Sequence, residues 1–472
     1  MSQIDMKQDI VTFVLFGGTG DLAKRKLVPA FAKLVQKEIL AKTSIVIGIG
    51  RKDLTDTTYK QYLTEGLHDA EKKIVQDMQI RFFQADVTQP GSLQRLQSYL
   101  ENLEPKEGAE RVYYLATSYT FFPVIVNALK EAGIAQQKKR STRIVFEKPF
   151  GSDLASSDDI DRRIHAVFSE DDIFRIDHYL AKDTVQNLHV LKFANPFFNS
   201  LLRKECVDRI EIIVDEELGV GNRIGYYAEA GAIKDMIQNH LLQTLALLLM
   251  EQPKTFDAKH IHDEKVNILE NLQVAHSEKH LLGQYRSYTK EAAAQNIQNV
   301  NSETFAKITL TCATGRWKGV TITLRTGKKL TKKYGQIKIT FKQATKNVEN
   351  TYPTLVPNVL LIDIHPFQDI NLIVNARKPH TSNRTIVPIK LAFSQKSAFG
   401  PNTSDEYAVL LEEVCKGDKT LFTRFDEVRA SWRIIWQIET IKKRIPFVIY
   451  PDGTDPETVA VRQESSPKTK TF

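Results

Sequence analysis

The chain has 472 residues, of which 42% are hydrophobic and 26% charged, and this composition is typical of a globular protein with more than one domain. Its net charge is +8, but the basic residues are scattered and form no arm or aromatic-basic alternation, so we expect no nucleic-acid partner. No apolar run approaches the length of a membrane span, and the first residues lack the pattern of a secretory signal, so we expect no membrane association and a cytoplasmic location.

Strand and helix patterns alternate over about the first 176 residues. Short apolar runs predict strands, and a helical pattern over residues 21–38 follows the first of them. The predicted strands are residues 11–16, 44–49, 80–87, 112–116 and 144–146. Such alternation is typical of a doubly wound parallel sheet, so we expect a Rossmann-like α/β domain over residues 1–176.

The pattern changes from residue 177 onward. Residues 231–250 have the composition of a long buried helix, further helices are expected at 404–416 and 426–444, and the polar segment 456–472 is expected to fray. Alternating runs predict strands at 208–215, 304–312, 319–325, 336–342, 358–364 and 369–375. We therefore expect a larger α+β domain over residues 177–472, with a mostly antiparallel sheet that is covered on one face.

A glycine-rich turn, Gly-Gly-Thr-Gly-Asp-Leu-Ala at residues 17–23, lies between the first strand and the helix that follows it. Glycines at this place let the backbone approach a pyrophosphate, which then rests on the helix N-terminus. A tight turn without a ligand is the competing interpretation. The residues expected to bind the cofactor here are Gly17, Gly18, Thr19, Gly20, Asp21 and Leu22.

The second predicted strand ends at Arg51 and Lys52, where an NAD site usually carries an acidic residue. An arginine can hold a phosphate through two parallel hydrogen bonds. We therefore expect Arg51 to bind a 2′-phosphate and NADP to be the cofactor, with NAD as the alternative. An exposed basic turn is the other interpretation, and it suits Lys52 better than Arg51.

Two polar runs are candidates for ligand contacts. The first, Glu-Lys-Pro-Phe-Gly at residues 147–151, follows a predicted strand, and the carboxyl ends of strands line the ligand crevice in open α/β sheets. Lys148 is therefore expected to reach both cofactor and substrate. The second run is Arg-Ile-Asp-His-Tyr-Leu-Ala-Lys at residues 175–182. If it is helical, His178 and Lys182 share a face and can clamp a phosphate dianion together with the hydroxyl of Tyr179.

Polar residues also interrupt the apolar segment 231–250. Asp235, Gln238, Asn239 and His240 stand there among apolar neighbours. Burying such groups without partners costs roughly 1–3 kcal/mol each, so a functional cluster is the preferred interpretation. A structural network at a domain contact is the alternative. The three cysteines, Cys206, Cys312 and Cys415, lie far apart, and neither a disulfide nor a metal site is predicted.

These runs together resemble the glucose-6-phosphate dehydrogenase family. The motifs at 17–23, 147–151, 175–182 and 235–240 stand in the family's order, and the resemblance covers about residues 10–455. It implies oxidation of D-glucose 6-phosphate to 6-phospho-D-glucono-1,5-lactone with reduction of NADP⁺, the first step of the oxidative pentose phosphate pathway. It also implies a homodimer or homotetramer formed through the large sheet.

The resemblance assigns roles by position. His240 matches the general base that takes the proton of the anomeric hydroxyl, and Asp177 matches its carboxylate partner. His178, Tyr179 and Lys182 match the residues that hold the phosphate. The other expected substrate contacts are Lys148, Glu216, Asp235, Lys328 and Lys333.

Two departures from the family pattern leave alternatives open. Ala228 stands where many relatives have an aspartate, and Thr117-Ser118-Tyr119 replaces a proline-containing segment. One alternative is a catalytically weakened paralogue that acts as a regulatory or assembly partner. Another is the same chemistry on a different 6-phosphosugar. Retention of Asp177 and His240 argues against the first, because a binding protein does not need the base.

Overall fold

The structure is a computed structural model that describes residues 10–104, 109–135, 141–276, 279–298, 300–379, 385–400 and 405–465. Within these ranges, no helix is long and apolar enough to cross a bilayer.

Strands alternate with helices in the first third of the chain, and strands outnumber helices between residues 272 and 394. The strands of the described residues are β1 (Ile10–Phe16), β2 (Ile45–Gly50), β3 (Gln79–Gln84), β4 (Ala109–Leu115), β5 (Thr142–Phe146), β6 (Ile173–Ile176), β7 (Val207–Asp215), β8 (Leu272–Val274), β9 (Leu281–Tyr285), β10 (Phe305–Cys312), β11 (Thr321–Gly327), β12 (Tyr334–Phe341), β13 (Val359–His365), β14 (Asp369–Arg377), β15 (Ile386–Ser394), β16 (Phe422–Thr423) and β17 (Phe447–Tyr450).

The helices include two π-helical segments, Ala23–Leu27 and Ile233–Leu241. The α-helices are α1 (Val28–Gln36), α2 (Asp56–Thr64), α3 (Asp69–Asp77), α4 (Gln94–Leu103), α5 (Phe122–Glu131), α6 (Leu154–His165), α7 (Asp183–Phe193), α8 (Pro196–Leu201), α9 (Ile224–Ala232), α10 (Leu242–Leu249), α11 (Ala258–Asn271), α12 (Tyr288–Ala294), α13 (Lys346–Thr351), α14 (Gln395–Phe399), α15 (Glu406–Lys416), α16 (Phe425–Ile441) and α17 (Pro456–Ser465). Short 3₁₀ turns lie at Tyr119–Phe121, Glu170–Asp172, Gly221–Arg223, Gly315–Trp317 and Lys442–Arg444.

Unit 1, the first of two compact units, comprises Met1–Ala181, Phe256–His262 and Ser404–Arg429. Its sheet has the strand order β16-β6-β5-β4-β1-β2-β3, in which β1 to β6 run parallel and β16 is antiparallel. The central strand β1 is buried from Val11 to Phe16, because a parallel sheet is covered on both faces. The strand order reverses between β1 and β4, and ligands of such folds bind at that reversal.

A late segment of the chain completes unit 1. It contributes α15 and β16, and Asp405 at its start accepts a hydrogen bond from Lys33 of α1 at 2.7 Å. Arg143 of β5 donates to the carbonyl oxygens of Val414 and Cys415, each at 2.8 Å. The sequence did not predict this return, because no local pattern connects residues so far apart along the chain. The predicted division at residues 176 and 177 describes two continuous stretches and remains a prediction about domains.

Unit 2 comprises Lys182–Thr255, Asp263–Thr403 and Ala430–Phe472. Its sheet has the strand order β15-β14-β13-β12-β7-β11-β10-β9-β17, and β8 pairs with β10. Neighbouring strands are antiparallel except β7 with β11 and β9 with β17. Along β13 the residues Leu360, Ile362 and Ile364 are buried and their neighbours are less so. This alternation is the period-two pattern from which an antiparallel sheet was expected.

The run 175–182 is not helical, so the prediction of a shared helical face for His178 and Lys182 is wrong. Strand β6 ends at Ile176, and α7 begins only at Asp183. Between them the Asp177 carboxylate accepts the backbone N–H of Tyr179 at 3.0 Å, and the Asp177 carbonyl accepts that of Leu180 at 3.0 Å. Aspartate competes for nearby backbone donors in this way and favours a turn over a helix.

Two other expectations also differ from the structure. The segment 231–250 is not one α-helix, because α9 breaks at Gly231, a π-helical segment follows, and α10 completes it. The segment 456–472, expected to fray, contains α17 as far as residue 465, and its last seven residues lie outside the described ranges. Glu457 near its start accepts from Arg325 at 2.7 Å and also pairs with Lys307. These contacts come from other strands, so the local polarity of the segment did not reveal them.

Candidate active site

A cavity of about 360 Å³ opens in unit 1 at the carboxyl ends of β1, β2, β3 and β4. It lies at the reversal of strand order, where a dinucleotide is expected. Four of the predicted cofactor residues line it, namely Gly17, Thr19, Gly20 and Arg51. Thr117 and Ser118, which depart from the family pattern, line it as well. The glycine-rich turn therefore borders a cavity that is large enough for a ligand.

The turn itself is held by close backbone contacts. Gly17 has a φ of 81°, and a Cβ there would lie 2.5 Å from the carbonyl oxygen of Ala116. Only glycine fits both demands. The carbonyl oxygens of Gly18 and Thr19 accept from the hydroxyls of Tyr59 and Tyr62, each at 2.8 Å. The two tyrosines of α2 therefore hold the backbone of the turn in place through these hydrogen bonds.

The predicted cofactor residues and their neighbours differ in burial and in the residues that they contact. Asp21 is exposed and pairs with Arg25 at 2.7 Å, and Leu22 is half-buried. The ammonium of Lys52 lies 4.8 Å from the ring centre of Tyr62, which fits an exposed basic turn. Arg51 lines the cavity together with Asp86.

Asp86 was missed by the sequence analysis. The predicted strand ran to residue 87, whereas β3 ends at Gln84 and leaves Asp86 on the cavity wall. Hydrogen bonds from the side chain and backbone of Thr88 lower the pKa of Asp86, and the charge of Arg51 contributes. Asp86 is therefore an ionised neighbour of Arg51.

The ends of β5 and β6 carry four predicted site residues of unit 1. Lys148 follows β5 and is half-buried, and its peptide bond to Pro149 is cis. Asp177, which is 2% exposed, follows β6 together with His178 and Tyr179. Adjacent parallel strands end at the same edge of a sheet, so these side chains share one edge.

A buried network that the sequence analysis missed supports this edge. The hydroxyl of Tyr114 donates to Glu147 at 2.6 Å, and Tyr407 of the returning segment also donates to Glu147. Burial raises the pKa of Glu147, although both tyrosines and the neighbouring Lys148 oppose the rise. The ring of His178 stacks on that of Tyr407, with centroids 6.5 Å apart. Tyr407 thus links the glutamate beside Lys148 to His178.

Arg175, the first residue of the 175–182 run, has a structural position. It is 2% exposed, and its guanidinium donates to Asp161 at 2.8 Å and to both oxygens of Glu170 at 2.7 and 3.0 Å. A planar guanidinium suits such bidentate pairing. Arg175 therefore anchors β6 and is occupied by carboxylates of unit 1.

The remaining predicted site residues lie in unit 2. Asp235 and His240 stand on the π-helical segment Ile233–Leu241 and are 2% and 1% exposed. The i→i+5 bonding of a π-helix places residues five apart about one turn from each other, and such segments are frequent at functional sites. An α-helix would turn the two side chains to different faces.

Glu216, Asp235 and Lys328 come together in unit 2. The Lys328 ammonium pairs with Glu216 and lies 3.8 Å from Asp235. Arg223 lies 3.6 Å from the other oxygen of Asp235. The ring of buried Tyr227 faces the Lys328 ammonium at 5.7 Å, a contact that the sequence did not suggest. Alternating charges of this kind can bind the hydroxyls of a sugar.

Lys182 and Lys333 share a neighbour, His365, at the end of β13. The pKa of His365 is lowered to about 4, first by burial and then by the charges of Lys182 and Lys333. Two lysines whose charges act on one imidazole create a region of positive potential that suits a phosphate. His365 was missed because its nearness to Lys333 comes from the pairing of β12 with β13, which no local pattern shows.

Comparison with known proteins extends this picture. The family model "Glucose-6-phosphate dehydrogenase, NAD binding domain" matches residues 14–187, and "Glucose-6-phosphate dehydrogenase, C-terminal domain" matches residues 189–465. The chain belongs to the glucose-6-phosphate dehydrogenase family. The glucose-6-phosphate 1-dehydrogenases of Mycolicibacterium smegmatis and Bacillus subtilis are 35% and 36% identical to it, over 96% and 91% of both chains respectively.

Solved structures of this family have the same fold. A glucose-6-phosphate dehydrogenase in complex with its substrate glucose-6-phosphate has a TM-score of 0.87 and 28% identity, and covers 100% of both chains. The enzyme from Mycobacterium avium has a TM-score of 0.83 and 27% identity over 98% of this chain and 99% of its own. The predicted family, fold class, NADP cofactor and oxidoreductase activity are confirmed.

Proposed function

We propose that this glucose-6-phosphate dehydrogenase oxidises D-glucose 6-phosphate at C1 with His240 as its general base. The observation that carries the proposal is a histidine 1% exposed on a π-helical segment that also holds Asp235, in a chain of this family. An unperturbed imidazole titrates near 6.5, which suits a base at neutral pH.

The reaction separates a proton from a hydride. His240 takes the proton of the C1 hydroxyl, and Asp177 orients the imidazole and stabilises its cation. As this proton is lost, the C1 hydrogen leaves with its electron pair and C1–O becomes the lactone carbonyl. The bound nicotinamide supplies the hydride acceptor, and the protein positions and polarises.

The substrate phosphate and sugar have separate holders in this proposal. His178, Tyr179, Lys182 and Lys333 bind the phosphate. Support comes from His365, whose pKa is lowered first by burial and then by the charges of Lys182 and Lys333. The sugar hydroxyls are bound by Lys148, Glu216, Asp235 and Lys328, of which the last three lie together.

The cofactor site takes its specificity from Arg51. Gly17, Gly18, Thr19, Gly20, Asp21 and Leu22 form the turn and helix start beneath the pyrophosphate, and Lys148 reaches the cofactor as well as the substrate. Arg51 lines the cavity and binds the 2′-phosphate of NADP. An arginine offers the paired donors that a phosphate accepts.

We further propose that two copies of the chain associate through the large sheet. On edge strand β15 of unit 2, Ile389, Leu391 and Phe393 point to one side and are 41%, 52% and 41% exposed. An exposed sheet edge with a row of apolar side chains invites pairing with another chain. A second copy supplies a matching surface by symmetry.

One assay tests the activity and separates it from the alternatives. NADPH absorbance is followed with glucose 6-phosphate, and in parallel with NAD⁺ and with other 6-phosphosugars. We expect turnover that is fastest with glucose 6-phosphate and NADP⁺. Folded protein that is inactive with every pair would support a weakened paralogue, and faster turnover of another phosphosugar would change the substrate.

A further inference from the structure

The chain segment that carries Asp235 and His240 begins at an unusual contact. Glu303, just before β10, is 1% exposed. Its carbonyl oxygen accepts the N–H of Ala232 at 2.9 Å, and its Oε1 accepts that of Ile233 at 3.1 Å. Its Oε2 lies 3.0 Å from the Nζ of Lys442. One residue therefore receives two successive backbone donors at the point where the π-helical segment starts.

Gly231 is shaped to this contact. Its φ of 60° and ψ of −177° belong to a region that is essentially restricted to glycine. A Cβ at Gly231 would lie 2.7 Å from the Cδ of Glu303. The backbone reversal that separates α9 from the π-helical segment and the carboxylate that fills the reversal therefore depend on each other.

The carboxylate also acts on the segment electrostatically. Backbone N–H groups at the start of a helix have no partners inside it, and a negative charge placed there is stabilising. Lys442 pairs with the same carboxylate. The buried charge of Glu303 is therefore balanced by a backbone N–H at one oxygen and by an ammonium at the other. These contacts hold the start of the π-helical segment in place, and Asp235 and His240 follow from that start.

We propose that Glu303, held by Lys442, is a positioning residue that sets the orientation of the π-helical segment and hence of Asp235 and His240 for the reaction. The proposal rests on the assignment of His240 as the base. Glu303 acts through the backbone N–H groups of Ala232 and Ile233, which open the segment that carries both residues.

The first experiment compares Glu303→Ala and Glu303→Gln with the matched variant Glu104→Gln. Glu104 is also a buried carboxylate paired with a cation, Arg111, at 2.5 Å, but it lies in unit 1 away from the cofactor cavity. For Glu303→Ala we expect a fall in kcat of about 100-fold, because small misplacements of reacting groups cost about that much. Glu303→Gln keeps an acceptor for Ile233 and is expected to restore most of the rate.

The readouts separate positioning from general stability. In Glu303→Ala we expect the acid limb of the kcat/KM profile to move while the KM for NADP⁺ stays unchanged, and in Glu303→Gln we expect a nearly normal profile. Glu104→Gln is expected to lose stability but to keep both kcat and the pH profile. Glu303→Ala with normal kcat and a normal profile would overturn the proposal, as would an equal loss of kcat in Glu104→Gln.

A second comparison remains decisive if Glu303→Ala does not fold. Lys442→Met leaves the buried carboxylate without its cation, whereas the double variant Glu303→Gln/Lys442→Met removes the charge as well. We expect the double variant to be more active than Lys442→Met, and an equally or less active double variant would contradict the pairing.

The titration of the His240 imidazole, followed by NMR in the protein without substrate, makes the test independent of turnover. We expect Glu303→Ala to shift this titration, and Glu303→Gln and Glu104→Gln to leave it nearly unchanged; no shift with Glu303→Ala would overturn the positioning role. An inactive wild type would count against the proposed function alone, since this titration would still report on Glu303.

Discussion

His240 is the residue on which the proposed chemistry depends. Its imidazole is buried on a π-helical segment whose buried carboxylate, Asp235, pairs with cations of unit 2. A base that is so enclosed can act only on a ligand that reaches it in a defined pose. The loss of the base should therefore affect the chemical step more than binding.

For His240→Asn we expect kcat to fall by about 10²- to 10⁴-fold, because a positioned general base contributes rate of that order. Asparagine keeps a polar side chain of similar reach, so the dissociation constant for glucose 6-phosphate should change little. Steady-state rates and calorimetric titration measure the two quantities. Weak binding with normal turnover would show that His240 holds the substrate and is not the base.

Arg51→Ala should discriminate between the two cofactors. We expect the KM for NADP⁺ to rise about 10- to 100-fold, because hydrogen bonds to a charged group are worth about 1.5–3 kcal/mol. The KM for NAD⁺ should stay nearly constant. Lys52→Ala is the matched control, since its ammonium lies over the ring of Tyr62 and should matter less. Equal changes for both cofactors would remove Arg51 from 2′-phosphate recognition.

His365 should make stability depend on pH. Its pKa is about 4 in the folded protein, first because of burial and then because of two lysines, and near 6.5 when unfolded. Between these values the unfolded chain binds more protons, so this contribution to stability is lost as pH falls from about 6.5 to about 4. His365→Gln should flatten urea-unfolding stability over that window, whereas His68→Gln, at an exposed position, should not. Parallel curves for wild type and His365→Gln would disprove this.

At the scale of elements, α15 depends on the residue just before it, its N-cap Asp405. Asp405 accepts the backbone N–H groups of Tyr407 at 3.1 Å and Ala408 at 3.4 Å, and it also pairs with Lys33 at 2.7 Å. It therefore caps the helix and joins it to α1. Because Tyr407 lies in the first turn, this cap also holds the hydrogen bond to Glu147.

Asp405→Ala should cost about 1–2 kcal/mol of stability, because an N-cap residue contributes about that much. Asp405→Asn keeps the capping acceptor and should lose much less, since the partly exposed pair with Lys33 adds little. Urea unfolding followed by circular dichroism measures both. A loss as large for asparagine as for alanine would assign the effect to the ion pair.

At the scale of the whole molecule, the exposed apolar side of β15 supports self-association. Leu391→Lys places a charge in the middle of that row, so we expect light scattering to show a lower mass at equal concentration. Val348→Lys, at an apolar position on α13 that is 41% exposed, serves as the control and should leave the mass unchanged. A wild type that is already monomeric at micromolar concentration would rule out this interface.

The sequence by itself determined the features that depend on neighbouring residues. The glycine turn at 17–23 could be predicted because its backbone approach and positive φ demand glycine at fixed places, and Arg51 because its position after β2 is local. The fold class followed from apolar periodicity, which records which faces are buried. The motif containing Asp177 and the one containing His240 were likewise recognisable as short runs.

Only the tertiary structure decided the features that depend on distant residues. The π-helical segment 233–241 starts against Glu303 after the break at Gly231, and the turn after β6 replaces the helix that spacing allowed. Tyr407 reaches Glu147, and His365 meets two lysines, because segments far apart in the chain fold against one another. A local sequence pattern cannot predict such contacts, because their energies depend on burial and on partner residues that are distant in the sequence.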